Sequence, residues 1–208
     1  MIHRRLALGL IAVVLAGTCS SDVPDHRFSH PDLENIVLQP DDAPAGTEWA
    51  SIVSGPSDLA HFARDADELE LLQKDEFREG YLSLFVPGGY GEPDSDLPPL
   101  PPEAVFVQGI AGLFESGDGA HSALARFVDD LRTTEIPSAA DVESAGLGDE
   151  SFGLLGTTPD GSHVLIFAWR RGNLVLSVSG AGDVAPELVR SLADRVDGRA
   201  LDLEATGG

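Results

Sequence analysis

A single lysine, Lys74, and a single cysteine, Cys19, stand in a chain of 208 residues. One cysteine excludes an internal disulfide. At this length, with 42% apolar residues, the chain can bury a core without one. Positive charge is scarce throughout: 13 Lys and Arg face 35 Asp and Glu, a formal net charge of −22. Such a surface repels phosphate backbones and anionic lipid heads, which excludes nucleic acid as a partner. The acidity reads first as a solubilising surface and not as a dedicated site for a basic partner. Long apolar runs are also missing. The longest, Leu6–Leu15, has ten residues, while about 20 are needed to cross a bilayer.

That one apolar run has a position. Arg4 and Arg5 precede it, Ala16, Gly17 and Thr18 follow it, and no acidic residue occurs before Asp22. A charged start, an apolar middle and a small-residue end make a secretory signal peptide over residues 1–18. Leu15-Ala16-Gly17 ahead of Cys19 resembles the prokaryotic lipoprotein signal, with Thr18 as a departure from its pattern. The resemblance implies that Cys19 is the first mature residue and carries a lipid that anchors the chain to the membrane. Cleavage near Ala16, releasing a soluble protein, is the alternative. Arg4-Arg5 leaves the Sec and twin-arginine export routes both open. Residues 19–32, with Pro24, Pro31 and no apolar period, read as a flexible tether.

A single α+β domain is expected over residues 33–198, mainly an antiparallel sheet with about three helices packed on it. A helix over 58–76 follows from Leu59, Phe62, Ala66, Leu69 and Leu72, which form one stripe. Its other face carries Asp65, Asp67 and Glu68, which read as solvated. Strands are expected at 48–53, 81–86 and 104–115, the last with an irregularity at Gly109 or Gly112. Residues 87–102 hold six prolines and three glycines, the composition of a long loop. A second helix runs from Ser116 or Asp118 to Arg132 with Ala120, Leu124, Phe127, Val128 and Leu131 inward. The last third is clearest. Strands at 151–156, 163–169 and 174–179 are separated by Asp160-Gly161 and Gly172-Asn173, both turn signals. The middle strand is apolar on both faces, so it belongs inside the sheet. In the last, Leu174, Leu176 and Val178 point inward, against Val175, Ser177 and Ser179. Asp183 would cap a final helix ending at Gly198, with a loose tail over 199–208. The string SGDGAHSALARFVDDL echoes SGAGDVAPELVRSLADRV at an offset of 63, which points to two related strand-plus-helix halves.

Catalytic signatures are not found. No Gly-x-Ser-x-Gly elbow occurs, and Gly148–Gly153 around Ser151 lacks that spacing. His61, His121 and His163 lie on separate elements with no second histidine at i+3 or i+4, so no zinc site is drawn. Glu92, Asp94 and Asp96 supply only fragments of a calcium loop. The expectation is a chain without catalytic residues, cofactor or metal.

LQPDDAPAG (38–46), VFVQGIAGLFESGDGAHSAL (105–124), LGDESFGLL (147–155) and FAWRRGNLVLSVSG (167–180) resemble actinobacterial-type envelope lipoproteins. These are related to extracellular sensor domains of Ser/Thr kinases, with a Mog1/PsbP-like or similar α+β fold. The resemblance implies a non-enzymatic binding or sensor-like module at the cell envelope, lipid-anchored or secreted. Its partner would be a small ligand, a lipid or an envelope protein. Such sensor domains carry disulfides, for which this chain has no cysteines. An accessory structural protein acting through protein contacts, or a hydrolase of unrecognised type, are the alternatives. An apolar cavity between sheet and helices would favour binding, a solid core with one exposed patch the structural role.

Overall fold

Every residue from Val164 to Trp169 is buried, so the strand that holds them is covered on both faces. The computed structural model, which describes residues 28–45, 49–63, 65–87 and 105–206, shows how. The leader, Cys19, most of the tether and all of the 87–102 loop except Pro87 lie outside those residues. Seven strands form one antiparallel sheet: β1 (Trp49–Ser57), β2 (Phe77–Pro87), β3 (Phe106–Phe114), β4 (Ala140–Asp141), β5 (Glu150–Thr157), β6 (His163–Arg171) and β7 (Leu174–Ala181). Their order is β1-β2-β3-β7-β6-β5-β4. Two meanders, β1–β3 and β5–β7, meet where β3 pairs with β7, from Phe106 opposite Ala181 to Leu113 opposite Leu174.

Alternation along these strands feeds two cores. Leu165, Phe167 and Trp169 of β6 join Leu174, Leu176 and Val178 of β7 on one face. There α1 (His30–Ile36) and α5 (Pro186–Thr206) cover them, through Leu33, Ile36, Val189, Leu192 and Val196. Val164, Ile166 and Ala168 face the other way, under Leu124, Val128 and Leu131 of α4 (Gly117–Asp130) and the π-helical turn that continues it. That second face also carries the single turn α2 (Leu59–Phe62) and α3 (Ala66–Lys74), which pack through Phe62 and Leu72 on Phe77 and Phe114. Counting α2 as a turn, the described residues hold four helices where about three were expected.

Several expectations are corrected. The tether does not run to residue 32. Phe28 is 4% exposed and α1 opens at His30, with the Asp32 carboxylate accepting the Ser29 N–H at 2.7 Å. Burying one such phenylalanine contributes roughly 2 kcal/mol. The 58–76 helix is two pieces, because the Asp65 carboxylate accepts the Glu68 N–H at 2.8 Å and starts α3 afresh. Gly55-Pro56 does not end β1. That strand is at the sheet edge, where a proline costs no ladder bond. No register shift falls in β3. The shift lies between Phe77 and Glu79 of β2, and Gly109 instead makes room for Leu38, whose Cγ would stand 2.9 Å from an added Cβ.

The final helix starts at Pro186, not Asp183, and passes through Gly198 to Thr206. Arg199 explains the continuation. Its guanidinium donates to the Ile36 and Val37 carbonyls at 3.0 and 2.8 Å and to both Asp42 carboxylate oxygens at 2.9 Å. Strand-then-helix order does repeat, yet α4 and α5 lie on opposite faces of the sheet. Gly117 opens α4, whereas Gly180, its counterpart at offset 63, is still inside β7.

Candidate functional site

The centre of the sheet is covered unequally. On the α1/α5 face, Leu174, Leu176 and Val178 are fully buried. On the opposite face, α2 and α3 stand over β1 and β2 while α4 crosses β6, β7 and β3, and an open groove of about 730 Å³ lies between the two banks. Its floor is the outward row of four strands: Leu82 of β2, Ile110 of β3, Val175 of β7 and Ile166 of β6. Ile110 and Val175 stay partly exposed although β3 and β7 are paired on both sides. Leu71, on α3, is an exposed large apolar residue and stands on the lip.

Polar groups occupy the middle of this floor. Gln108 lies opposite Ser179 across the β3–β7 ladder, and Ser177 lies opposite Ile110. All three line the groove. They belong to the row that alternation assigns away from the Leu174–Leu176–Val178 core. The two banks are acidic: Asp65, Asp67 and Glu68 at the start of α3, Asp129, Asp130 and Glu135 at the end of α4 and its extension. Arg126 is the one cationic side chain among the described lining residues, and it is ion-paired with the buried Asp75. An apolar floor with a few convergent polar groups is what a small-ligand site needs to hold a body and fix its orientation.

The residues singled out in the sequence fall elsewhere. His121 of α4 meets Glu150 at 2.7 Å on the surface, and His163 meets the Thr157 hydroxyl at 3.3 Å at the exposed end of the β5–β6 ladder. His61 lies in α2, its side chain outside the described residues. The Ser151 hydroxyl donates to the Ser144 carbonyl at 2.9 Å and so braces a loop. Cys19, Glu92, Asp94 and Asp96 lie outside the described residues. Among those residues no three His, Cys, Asp or Glu side chains gather in a metal-ligating group. No described helix is long and apolar enough to cross a membrane.

The resolved shifts in ionisation lie outside the groove. For Arg171 burial opposes the charge, but hydrogen bonds and charge from Asp197, then Glu204, outweigh it and raise its pKa. That pair is bidentate, at 3.0 and 2.8 Å, and fixes the β6–β7 turn to α5. Asp160, in the β5–β6 turn, is held below the usual carboxylate range by the Thr158 hydroxyl and then the Ser162 N–H.

The sequence points to an apolar cavity between sheet and helices as the mark of a binding module, but it singles out none of the groove's residues as a site. Asp65, Asp67 and Glu68 looked like an ordinary solvated face, and Gln108 was one polar residue within a strand. The available signal was Ser177 and Ser179 on a strand whose neighbour β6 is apolar on both faces.

No family model and no curated protein sequence matches the chain. Among solved structures it is similar to the crystal structure of the extracellular domain of PknH from Mycobacterium tuberculosis, with a TM-score of 0.58. The likeness covers 86% of this chain and 99% of that one, at 10% sequence identity. It is a likeness of fold, and it bears out the α+β architecture.

Proposed function

We propose that this chain is an extracytoplasmic binding module of sensor-like type that takes its ligand in the groove between α3 and α4. The observation that carries the proposal is the open groove of about 730 Å³ above a partly exposed apolar floor at the centre of the sheet. Closing α3 and α4 over Ile110 and Val175 would bury the apolar surface they still show, at roughly 25 cal/mol per Å², yet the groove stays open. The address outside the cytoplasm is supported by the leader and by the fold likeness to a domain described as extracellular. Lipid attachment at Cys19 belongs to the same proposal. Binding without catalysis is part of the same proposal.

The test uses a neutral apolar reporter, N-phenyl-1-naphthylamine, whose fluorescence rises on leaving water. The protein should bind it with saturation. Ile110→Trp, which fills the floor, should abolish that signal while the thermal melt stays within a few degrees. Equal reporter binding by the wild type and by Ile110→Trp would sink the groove as the site.

A further inference from the structure

Resting on the binding-groove reading, we propose that the groove recognises a chain-like apolar molecule with a carbonyl part-way along it, held at that carbonyl by Ser177, Ser179 and Gln108. The two serines carry the inference. Ser177 is 5% and Ser179 8% exposed, and both line the groove. Among the described residues, neither hydroxyl has a hydrogen-bond partner, and neither has the Gln108 amide. A buried hydroxyl without a partner costs free energy, and valine or isoleucine would suit a central strand better. A ligand seated on the floor would supply the missing bonds.

The placement of these groups describes that ligand. Ser177 and Ser179 are two residues apart on one face of β7, roughly 7 Å along the strand, and Gln108 stands directly across from Ser179 on β3. One carbonyl oxygen has two lone pairs, so it can accept from two of these donors at about 2.8 Å each. Apolar side chains bracket the donors. On the β2 side, Ile110 lies opposite Ser177 and Leu82 lies opposite Ile110. On the β6 side, Ile166 lies opposite Ser179. From Leu82 to Ile166 the floor crosses from β2 through β3 and β7 to β6, roughly 14 Å at about 4.8 Å between neighbouring strands. An aliphatic chain lying across the strands therefore has apolar floor under each arm and donors under its middle. The strands β3 and β7 are hydrogen-bonded on both sides, so an extended peptide finds no free edge there to pair with.

The experiment displaces N-phenyl-1-naphthylamine with two isomeric ketones, dipentyl ketone and methyl nonyl ketone. They share composition and differ in whether the carbonyl sits mid-chain or near one end. The reporter's own affinity is measured for each protein. Dipentyl ketone should bind the wild type roughly five- to tenfold tighter than its isomer. Ser177→Ala combined with Ser179→Ala should bring the isomers within about twofold, by weakening dipentyl ketone and sparing methyl nonyl ketone. Because these hydroxyls bond nothing in the protein, that variant should melt no lower than the wild type. A lower melt would mark the serines as structural and overturn the assignment. Equal affinity of the isomers for the wild type, or a preference that survives loss of both hydroxyls, overturns the carbonyl site while the groove stands. If neither ketone displaces a reporter that Ile110→Trp abolishes, the ligand class itself is wrong. A reporter that Ile110→Trp leaves bound removes the groove reading and this inference with it.

Discussion

Asn173 joins three distant parts of the chain. Its Oδ1 accepts the Phe28 N–H and its Nδ2 donates to the Phe114 carbonyl, each at 2.8 Å, while its own carbonyl accepts the Phe114 N–H at 3.0 Å. The turn around it was legible, because Gly172 supplies the left-handed φ of +55° that a tight hairpin needs. The amide's partners were not, since they lie 145 and 59 residues away. Arg171 with Asp197 and Arg199 with Asp42 are hidden from sequence for the same reason. Asn173→Ala removes the side chain that binds the Phe28 N–H and the Phe114 carbonyl, which costs about 2–3 kcal/mol. Urea denaturation should show that loss, and limited proteolysis should begin to cut near residues 28–32. An unchanged midpoint would show that water replaces the amide without cost.

Two helices carry glycines in opposite situations. An added Cβ at Gly198, within α5, meets nothing within 4 Å, so Gly198→Ala removes only backbone freedom. It should stabilise the fold by roughly 0.5–1 kcal/mol. At Gly119, in the first turn of α4, an added Cβ would stand 2.2 Å from the Asp75 carbonyl oxygen. Backbone cannot yield as a flexible side chain can, so Gly119→Ala should destabilise by about 1–3 kcal/mol. Thermal denaturation of both variants checks the signs, and matching signs would undo the argument. Glycine is also what misled the expected end of α5, since it is a weak stop where Ala200 is buried and Arg199 is anchored just beyond. The division of the 58–76 helix escaped for a different reason. Leu59, Phe62, Ala66, Leu69 and Leu72 keep helical spacing across the break. Yet Asp65 followed three residues later by Glu68 is a start signal of the kind a second helix requires. The β5–β6–β7 meander was legible because alternation, two turn signals and a doubly apolar strand all agree there.

The assembled sheet was only half readable. Composition and pattern give an antiparallel α+β domain, but which helix covers which face depends on connections: two residues from β3 to α4 and four, 182–185, from β7 to α5. The groove follows from that choice, so it was out of reach of local spacing. The proposed address is open to direct measurement. Fatty-acid labelling of the native producer should mark the wild type and fail on Cys19→Ala; an unlabelled wild type would remove the anchor. The direction of the strands then acquires a meaning. Phe28, Asn173 and Phe114 gather at one end of the sheet, while Phe106, Ala181, Val164 and the Thr158–Gly161 turn mark the other, about 30 Å away along nine-residue strands. Pro87 and Val105 belong to that second end. Labels placed at Phe28 and at Asp160 would therefore report the two ends of one sheet separately, and a variant that loosens one end should leave the other label's signal unchanged.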